Sequence, residues 1–335
     1  MARDSTSGTV LTRAAIRNYL FLWNIFCLRQ DLILCTLIFH NLGIAMTNTI
    51  PDLGYAPVAD IFKLPPGVNF GPCSGIAITA RNHILVFNRS ENALMEFTQQ
   101  GDWVRTMGRG IFNLPHGLRI DREGNIWCTD TGAHIVVKMN ADGRILMVLG
   151  VAGRAGEWHH AGHLKCFDEP NDLAFGPNGE IYVAQGHGKG ENLVHMFTAN
   201  GDFVKSWGGN GKGKSQFDQP HSIVMNGKGL LYICDRSNQR IQVFDGQGNY
   251  VRESSHPGTP CGLAMCNDNS HMMMAFGHAG KVMKLDEQCN VLGVTGSQGK
   301  GPNQYGEAHY IALDTYEDIY IADTLNWRVQ KLVKK

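Results

Sequence analysis

Pro115-His116-Gly117-Leu118-Arg119-Ile120-Asp121, then a Glu123-Gly124-Asn125 turn, then Ile126-Trp127-Cys128-Thr129-Asp130 and Ile135-Val136-Val137-Lys138-Met139, set the pattern of this chain. Each apolar stretch has the length of a short strand, and turn residues separate them. The same order returns at Pro220-His221-Ser222-Ile223-Val224, Tyr232-Ile233-Cys234-Asp235-Arg236 and Arg240-Ile241-Gln242-Val243-Phe244-Asp245. Six copies are recognisable, opening at Cys73-Ser74, Pro115-His116, Pro170-Asn171, Pro220-His221, Pro260-Cys261 and Ala308-His309. Successive openings are 40 to 55 residues apart, counted between positions 74, 116, 171, 221, 261 and 309. That period is the length of a four-stranded propeller blade. Turn pairs at Asp142-Gly143, Asn178-Gly179, Asn200-Gly201 and Gln247-Gly248 fit hairpins within the blades. No long amphipathic pattern interrupts the repeats. The expected fold is all-β, a six-bladed β-propeller over residues 51–335. The residues before about position 60 lie outside the ring or lend it a strand.

Composition agrees with this fold and limits the function. The 335 residues suit one repeat domain, and 40 glycines match a chain rich in turns. Thirty basic and thirty acidic residues leave no net charge. A nucleic-acid partner is therefore not expected, because such domains carry a basic surplus. Nine cysteines, an odd number without a CxxC pair, do not indicate a disulfide framework. Cys128 and Cys234 fall inside apolar strands and read as buried free thiols.

Residues 1–50 read as an extension outside the core. Two apolar runs, 19–26 and 32–39, flank Arg29, Gln30 and Asp31. A membrane span needs about 20 apolar residues and tolerates a central charge pair poorly. A stable membrane partner is not expected. Three readings stay open: an anchor, a signal segment led by Arg13 and Arg17, or an artefactual extension upstream of a start at Met46. The last favours the cytoplasm; the first two favour a membrane-bound or secreted protein.

Equivalent positions of a ring converge on its axis. The second residue of the six openings is Ser74, His116, Asn171, His221, Cys261 and His309 in turn. Histidine stands on alternate blades, a third of a turn apart. A lone Pro-His is more often a hydrogen-bonded turn residue than a ligand. Three in this phase, among 14 histidines in 335 residues, are not a result of composition alone. Simple duplication of a structural histidine would fill adjacent blades as readily, yet Asn171 and Cys261 intervene. His116, His221 and His309 are thus candidate ligands for one zinc ion per chain, with a fourth position for water or substrate. A second ring position follows the inner hairpin, at Asn88-Arg89, Asp130-Thr131, Gln185-Gly186, Asp235-Arg236, Gly277-His278 and Asp323-Thr324. Arg89 and Arg236 are its permanent cations and are suited to a carboxylate ligand. A surface position, or a salt bridge of Arg236 with Asp235, is the plainer alternative.

Phe112-Asn113-Leu114-Pro115-His116-Gly117-Leu118, Gln219-Pro220-His221-Ser222 and Cys234-Asp235-Arg236-Ser237-Asn238-Gln239-Arg240 resemble NHL-repeat signatures. More narrowly, residues 70–335 resemble the peptidyl-α-hydroxyglycine α-amidating lyases. The resemblance implies zinc on the three histidines and an active-site arginine at Arg236. Arg89 is a substitute for the family's other arginine. His187, in Gln185-Gly186-His187-Gly188, stands where the family has a catalytic tyrosine, and could serve as base or be an exposed loop residue. The family's cysteine pairs near this loop are not reproduced. Asn171-Asp172 match a Thr-Asp pair and are expected at the funnel floor. Tyr310 replaces an aspartate that holds calcium in the family, which makes calcium doubtful here.

The implied reaction is cleavage of the N–C bond of an α-hydroxyglycine to an amide and glyoxylate, on a small carboxylate-bearing substrate. A metal-dependent hydrolase or lactonase and a non-catalytic NHL protein-binding scaffold are the alternatives. His159, His160 and His163, with Trp158, read as a surface loop or a lid over the funnel. His134, His195, His256 and His271 show no site spacing, and Gly208–Lys214 reads as a loop rather than a phosphate cradle.

Overall fold

The computed structural model describes residues 50–156, 158, 165–188 and 190–335. The two apolar runs of the first fifty residues and the cluster of His159, His160 and His163 lie outside the described residues. Among the described residues no helix is long and apolar enough to cross a membrane.

Six four-stranded antiparallel sheets form the propeller. Their inner strands are Cys73–Ile78, Pro115–Ile120, Pro170–Phe175, Pro220–Met225, Pro260–Met265 and Ala308–Leu313. The next strand outward, as in Ile84–Asn88, Ile126–Asp130 and Leu231–Asp235, is buried along its whole length. Both of its faces pack against neighbouring blades, which is why it reads as an unbroken apolar run rather than an alternating one. Six hydrophobic clusters fill the spaces between successive blades. One joins Leu85, Phe87 and Leu94 of blade one to Leu118, Ile126 and Val137 of blade two. Another joins Tyr310, Tyr320 and Val329 of blade six back to Ile76, Val86 and Phe97 of blade one. Gly143, Gly179, Gly201 and Gly248 all adopt positive φ, as their hairpin turns require.

The ring closes with a strand from the start of the chain. Tyr55–Val58 adds to Arg328–Lys334 as the outer strand of blade six, with Tyr55 opposite Lys334 and Val58 opposite Lys331. The segment before position 60 thus lends the ring a strand. A closing pair far apart in sequence covers the edge of Arg328–Lys334 and ties the start of the chain to blade six. A chain starting at Met46 keeps this strand and is expected to be soluble and to melt with the full chain. One starting at Asp60 loses it and should melt clearly lower by calorimetry. Equal midpoints for the two shortened chains would show the closure to be dispensable; aggregation of the longer one would tie the preceding residues to the fold.

One register differs from expectation. In blade five Pro260 pairs with Phe276, as Pro220 pairs with Asp235 and Ala308 with Asp323. The strand-end position is therefore Phe276-Gly277, one residue before the expected Gly277-His278. All seven cysteines among the described residues, Cys128 and Cys234 included, are free and buried.

Candidate metal centre and active site

Every inner strand carries a register shift at the residue expected to face the axis. The shifts fall between Cys73 and Gly75, Pro115 and Leu118, Pro170 and Asp172, Pro220 and Ser222, Pro260 and Gly262, and Ala308 and Tyr310. A bulge takes one residue out of the ladder and re-aims its side chain. It turns His116, His221 and His309 inward. Their ring centroids are 4.7 Å (His116–His221), 4.9 Å (His116–His309) and 4.7 Å (His221–His309) apart. All three histidines are buried.

The backbone fixes how each ring is presented. Nδ1 of His116 donates to the carbonyl of Asn171 (2.8 Å), that of His221 to Cys261 (3.1 Å) and that of His309 to Ser74 (2.8 Å). Each acceptor occupies the equivalent bulge of the next blade. A carbonyl facing Nδ1 requires the proton there, which leaves Nε2 with its lone pair. Nε2 of His116 is buried and has no hydrogen-bond partner. An orphaned buried acceptor of this kind is costly unless something binds it. Three neutral imidazoles, each anchored through its second nitrogen, are the donor set of a zinc-type metal. The residues present fit such an ion.

His187 joins this group from the loop after Gln185. Its ring centroid lies 4.8 Å from His116 and 5.7 Å from His221. Ring nitrogens of His116, His187 and His221 lie within 4.8 Å of one another, a grouping that takes His187 in place of the expected His309, so His187 is itself within reach of a shared metal. It differs from the other three in coming from a loop rather than a bulged strand. That loop is tightly built. Gly186 has φ +116°, and a Cβ there would meet Asn192 at 2.2 Å. A Cβ on Gly188 would meet the Glu169 carboxylate at 2.4 Å. Gln219 Nε2 donates to the His187 carbonyl at 3.0 Å. The glycines of Gly186-His187-Gly188 let the chain turn close enough to put the imidazole over the axis.

Arg236 reaches the same point. One guanidinium nitrogen is 3.0 Å from His221 Nε2 and the other is 2.6 Å from Glu307 Oε1. A metal ion on His221 and this guanidinium compete for one lone pair, and Glu307 keeps Arg236 beside the site. The expected alternative partner, Asp235, instead pairs with Arg240 at 2.7 Å. Arg89 donates through Nε to the Pro115 carbonyl at 3.1 Å. Its charge acts on His116, His187 and His309, so it belongs to the same end of the axis.

Glu307 is the site residue that sequence reasoning missed. It is 9 % exposed in its side chain and also 3.9 Å from His278. Burial opposes its ionisation, but interactions with His309 and Arg236 outweigh this and hold its carboxyl below the ordinary range. Burial and then Arg236 and Arg89 push His187 down to about 4, against the opposing pull of Glu307. Burial also holds His116 and His221 well below the usual imidazole range. Burial likewise pushes His309 down to about 4, so all four rings are neutral near pH 7 and can act as acceptors or ligands.

Asn171 and Asp172 are both fully buried: the Asn171 carbonyl receives His116 Nδ1, and the Asp172 carboxylate receives Arg119. Tyr310 is also fully buried and donates its hydroxyl to Asp172. Trp158 is buried against Phe167 and Phe197. His134 accepts from the Glu169 amide at 3.1 Å, and His271 pairs with Asp268; neither belongs to the axial cluster.

The NHL-repeat family pattern matches residues 217–244. The chain is a six-bladed propeller that carries an NHL repeat at residues 217–244 and is similar to proteins named as α-amidating lyases. It is 33 % identical over 226 residues to peptidyl-glycine alpha-amidating monooxygenase A of Xenopus laevis, covering 57 % of this chain and 23 % of that protein. It is 28 % identical over 226 residues to peptidyl-alpha-hydroxyglycine alpha-amidating lyase 1 of Drosophila melanogaster, covering 64 % of this chain and 38 % of that one. NHL repeat-containing protein 3 of Mus musculus is 31 % identical over 206 residues, covering 58 % and 56 %. The chain thus spans from under a quarter to little more than half of these curated relatives. Among solved structures, a gluconolactonase of Xanthomonas campestris aligns with TM-score 0.59 at 16 % identity over 79 % of this chain and 86 % of that one. A virginiamycin B lyase of Staphylococcus aureus aligns with TM-score 0.56 at 13 % identity over 79 % and 97 %. At such identities these two show the fold alone.

Proposed function

We propose that this protein is a metal-dependent carbon–nitrogen lyase that cleaves small α-hydroxyglycine-like carboxylates to an amide and glyoxylate. The observation that carries the reading is the set of four converging imidazoles, three of them anchored through Nδ1, beside two arginines. The similarity to proteins named as amidating lyases supports the same chemistry.

His116, His221 and His309 would hold one zinc ion, which when bound supplies Lewis-acid polarisation of a substrate oxygen. Arg89 and Arg236 grip the substrate carboxylate. His187, neutral and buried, accepts the proton of the α-hydroxyl. The C–O bond becomes the carbonyl of glyoxylate, the N–C bond breaks, and nitrogen keeps the electron pair. The proton on His187 then passes to that nitrogen to complete the amide, so the reaction balances without water or an oxidant. Glu307 holds Arg236 in place. Its negative charge leaves the two arginines with one net positive charge, which matches a monocarboxylate.

Simple N-acyl-α-hydroxyglycines are the first substrates to try, with glyoxylate release as the readout. Arg236→Ala should raise KM for these substrates more than it lowers kcat. It should have a smaller effect on analogues lacking the carboxylate. Equal losses on both kinds of substrate would remove Arg236 from carboxylate binding. Lactone hydrolysis without glyoxylate release would replace the lyase reading by the hydrolase one.

A further inference from the structure

A buried ion pair lies on the axis further along the inner strands from the histidines, and the chemistry above makes no use of it. Arg119, three residues after His116, grips Asp172 with two nitrogens at 3.0 and 2.5 Å. The Asp172 carboxylate also accepts from Ser222 Oγ (2.8 Å), the Ile223 amide (3.0 Å) and the Tyr310 hydroxyl. Arg119 donates onward to the Leu263 carbonyl at 3.0 Å and lies over the Tyr310 ring, 4.7 Å from its centroid. Asp172 is fully buried, and Arg119 is 16 % exposed in its side chain. One carboxylate and one guanidinium thereby tie together blades two, three, four, five and six.

A buried ion pair is weak evidence for stability, because desolvation offsets most of the attraction; its better-attested use is to fix register. The neighbours of this pair say which register. Asp172 follows Asn171, whose carbonyl receives His116 Nδ1. Ser222 follows His221, and Tyr310 follows His309. Each bulge that aims a histidine is thus held on its far side by a bond to the same carboxylate or by the guanidinium. The six hydrophobic interfaces are non-directional and do not by themselves specify where a side chain at the axis is aimed. Metal coordination tolerates about 0.2 Å.

We propose that Arg119 and Asp172 are positioning residues that set the convergence of His116, His221 and His309. The inference rests on the metal-binding reading of the trio. Cobalt(II) titration of the whole protein tests it, with the visible absorption band reporting coordination geometry and chelator competition reporting affinity. Arg119→Lys keeps the charge but loses the forked bond, and Tyr310→Phe removes one bond to Asp172 while keeping the ring. Both should retain the wild-type fold by circular dichroism at the titration temperature. Arg119→Lys should weaken cobalt binding about 10- to 100-fold and alter the band, as losses of supporting bonds around metal ligands do. Tyr310→Phe should shift both in the same direction by less. Folded variants with lowered melting points but unchanged affinity and spectrum would overturn the inference and leave a purely structural pair. Should Arg119→Lys fail to fold, Tyr310→Phe alone decides by the same two readouts. Wild-type protein that binds no cobalt would overturn the metal reading and this inference together, and so is told apart from a failure of the positioning role alone.

Discussion

Purified protein is expected to carry about one zinc-like ion per chain, and His221→Ala to lose it while the ring stays folded. Structural zinc sites in zinc-finger peptides bind with roughly 10 to 16 kcal/mol, shared among about four ligands, and set the scale. One lost ligand therefore removes about 3 kcal/mol or more, a factor of at least ~100 in affinity. The fold should survive. The ladder around His221 rests on Ser222 opposite Cys234 and Ile223 opposite Ile233, which the substitution leaves in place. The local penalty is the carbonyl of Cys261 left without its imidazole donor, about 1–3 kcal/mol. Removing His221 also frees Arg236 from its nitrogen contact, but the bond to Glu307 remains. Metal analysis and calorimetry on the same sample check both halves. A folded, metal-free wild type that takes up no zinc on titration would end the metal reading. Should His221→Ala still bind, the double change with His187→Ala decides whether His187 has stepped in as ligand.

The histidine trio was legible because it is phased with a repeat: three residues at one position of a 40- to 55-residue period stand out from a background of 14 histidines. The blades were legible for the same reason. What escaped reading lacks periodicity. Glu307 sits just before an opening, where the other blades have Pro72, Leu114, Glu169, Gln219 and Thr259, and that sequence of residues suggests nothing. Its importance comes from Arg236, 71 residues away in the chain. Arg119 reads as an ordinary polar residue of an alternating strand, and only the closed ring brings it to Asp172. The blade-five register slipped because Met272–Phe276 ends on an apolar residue where four of the other blades end on Asp or Asn and one on Gln. The closing strand is four residues, Tyr55-Ala56-Pro57-Val58, too short to show a period. The proline fits only because the strand is outermost, where a missing N–H breaks no ladder.

His187→Ala is expected to lower turnover about 10²- to 10⁴-fold on a confirmed substrate, the usual contribution of a positioned base. Metal content should not change, and this separates two roles that the geometry permits. As a base, His187 acts through a proton: the ion stays with His116, His221 and His309, KM moves little and kcat falls. As a fourth ligand, it acts through the ion, and affinity and turnover fall together. The local build favours the first role. The three bulged histidines each have Nδ1 tied to a backbone carbonyl, the arrangement that orients a ligand. His187 is held instead by its backbone, through Gln219 and the glycine turn, so its ring can shift toward a substrate without disturbing a strand. Burial and the two arginines keep it unprotonated, as a proton acceptor must be. His187→Gln, which keeps a hydrogen-bonding group of similar reach but cannot take the proton, should be as slow as the alanine variant. Full activity in either variant would move the base elsewhere and remove His187 from the reaction.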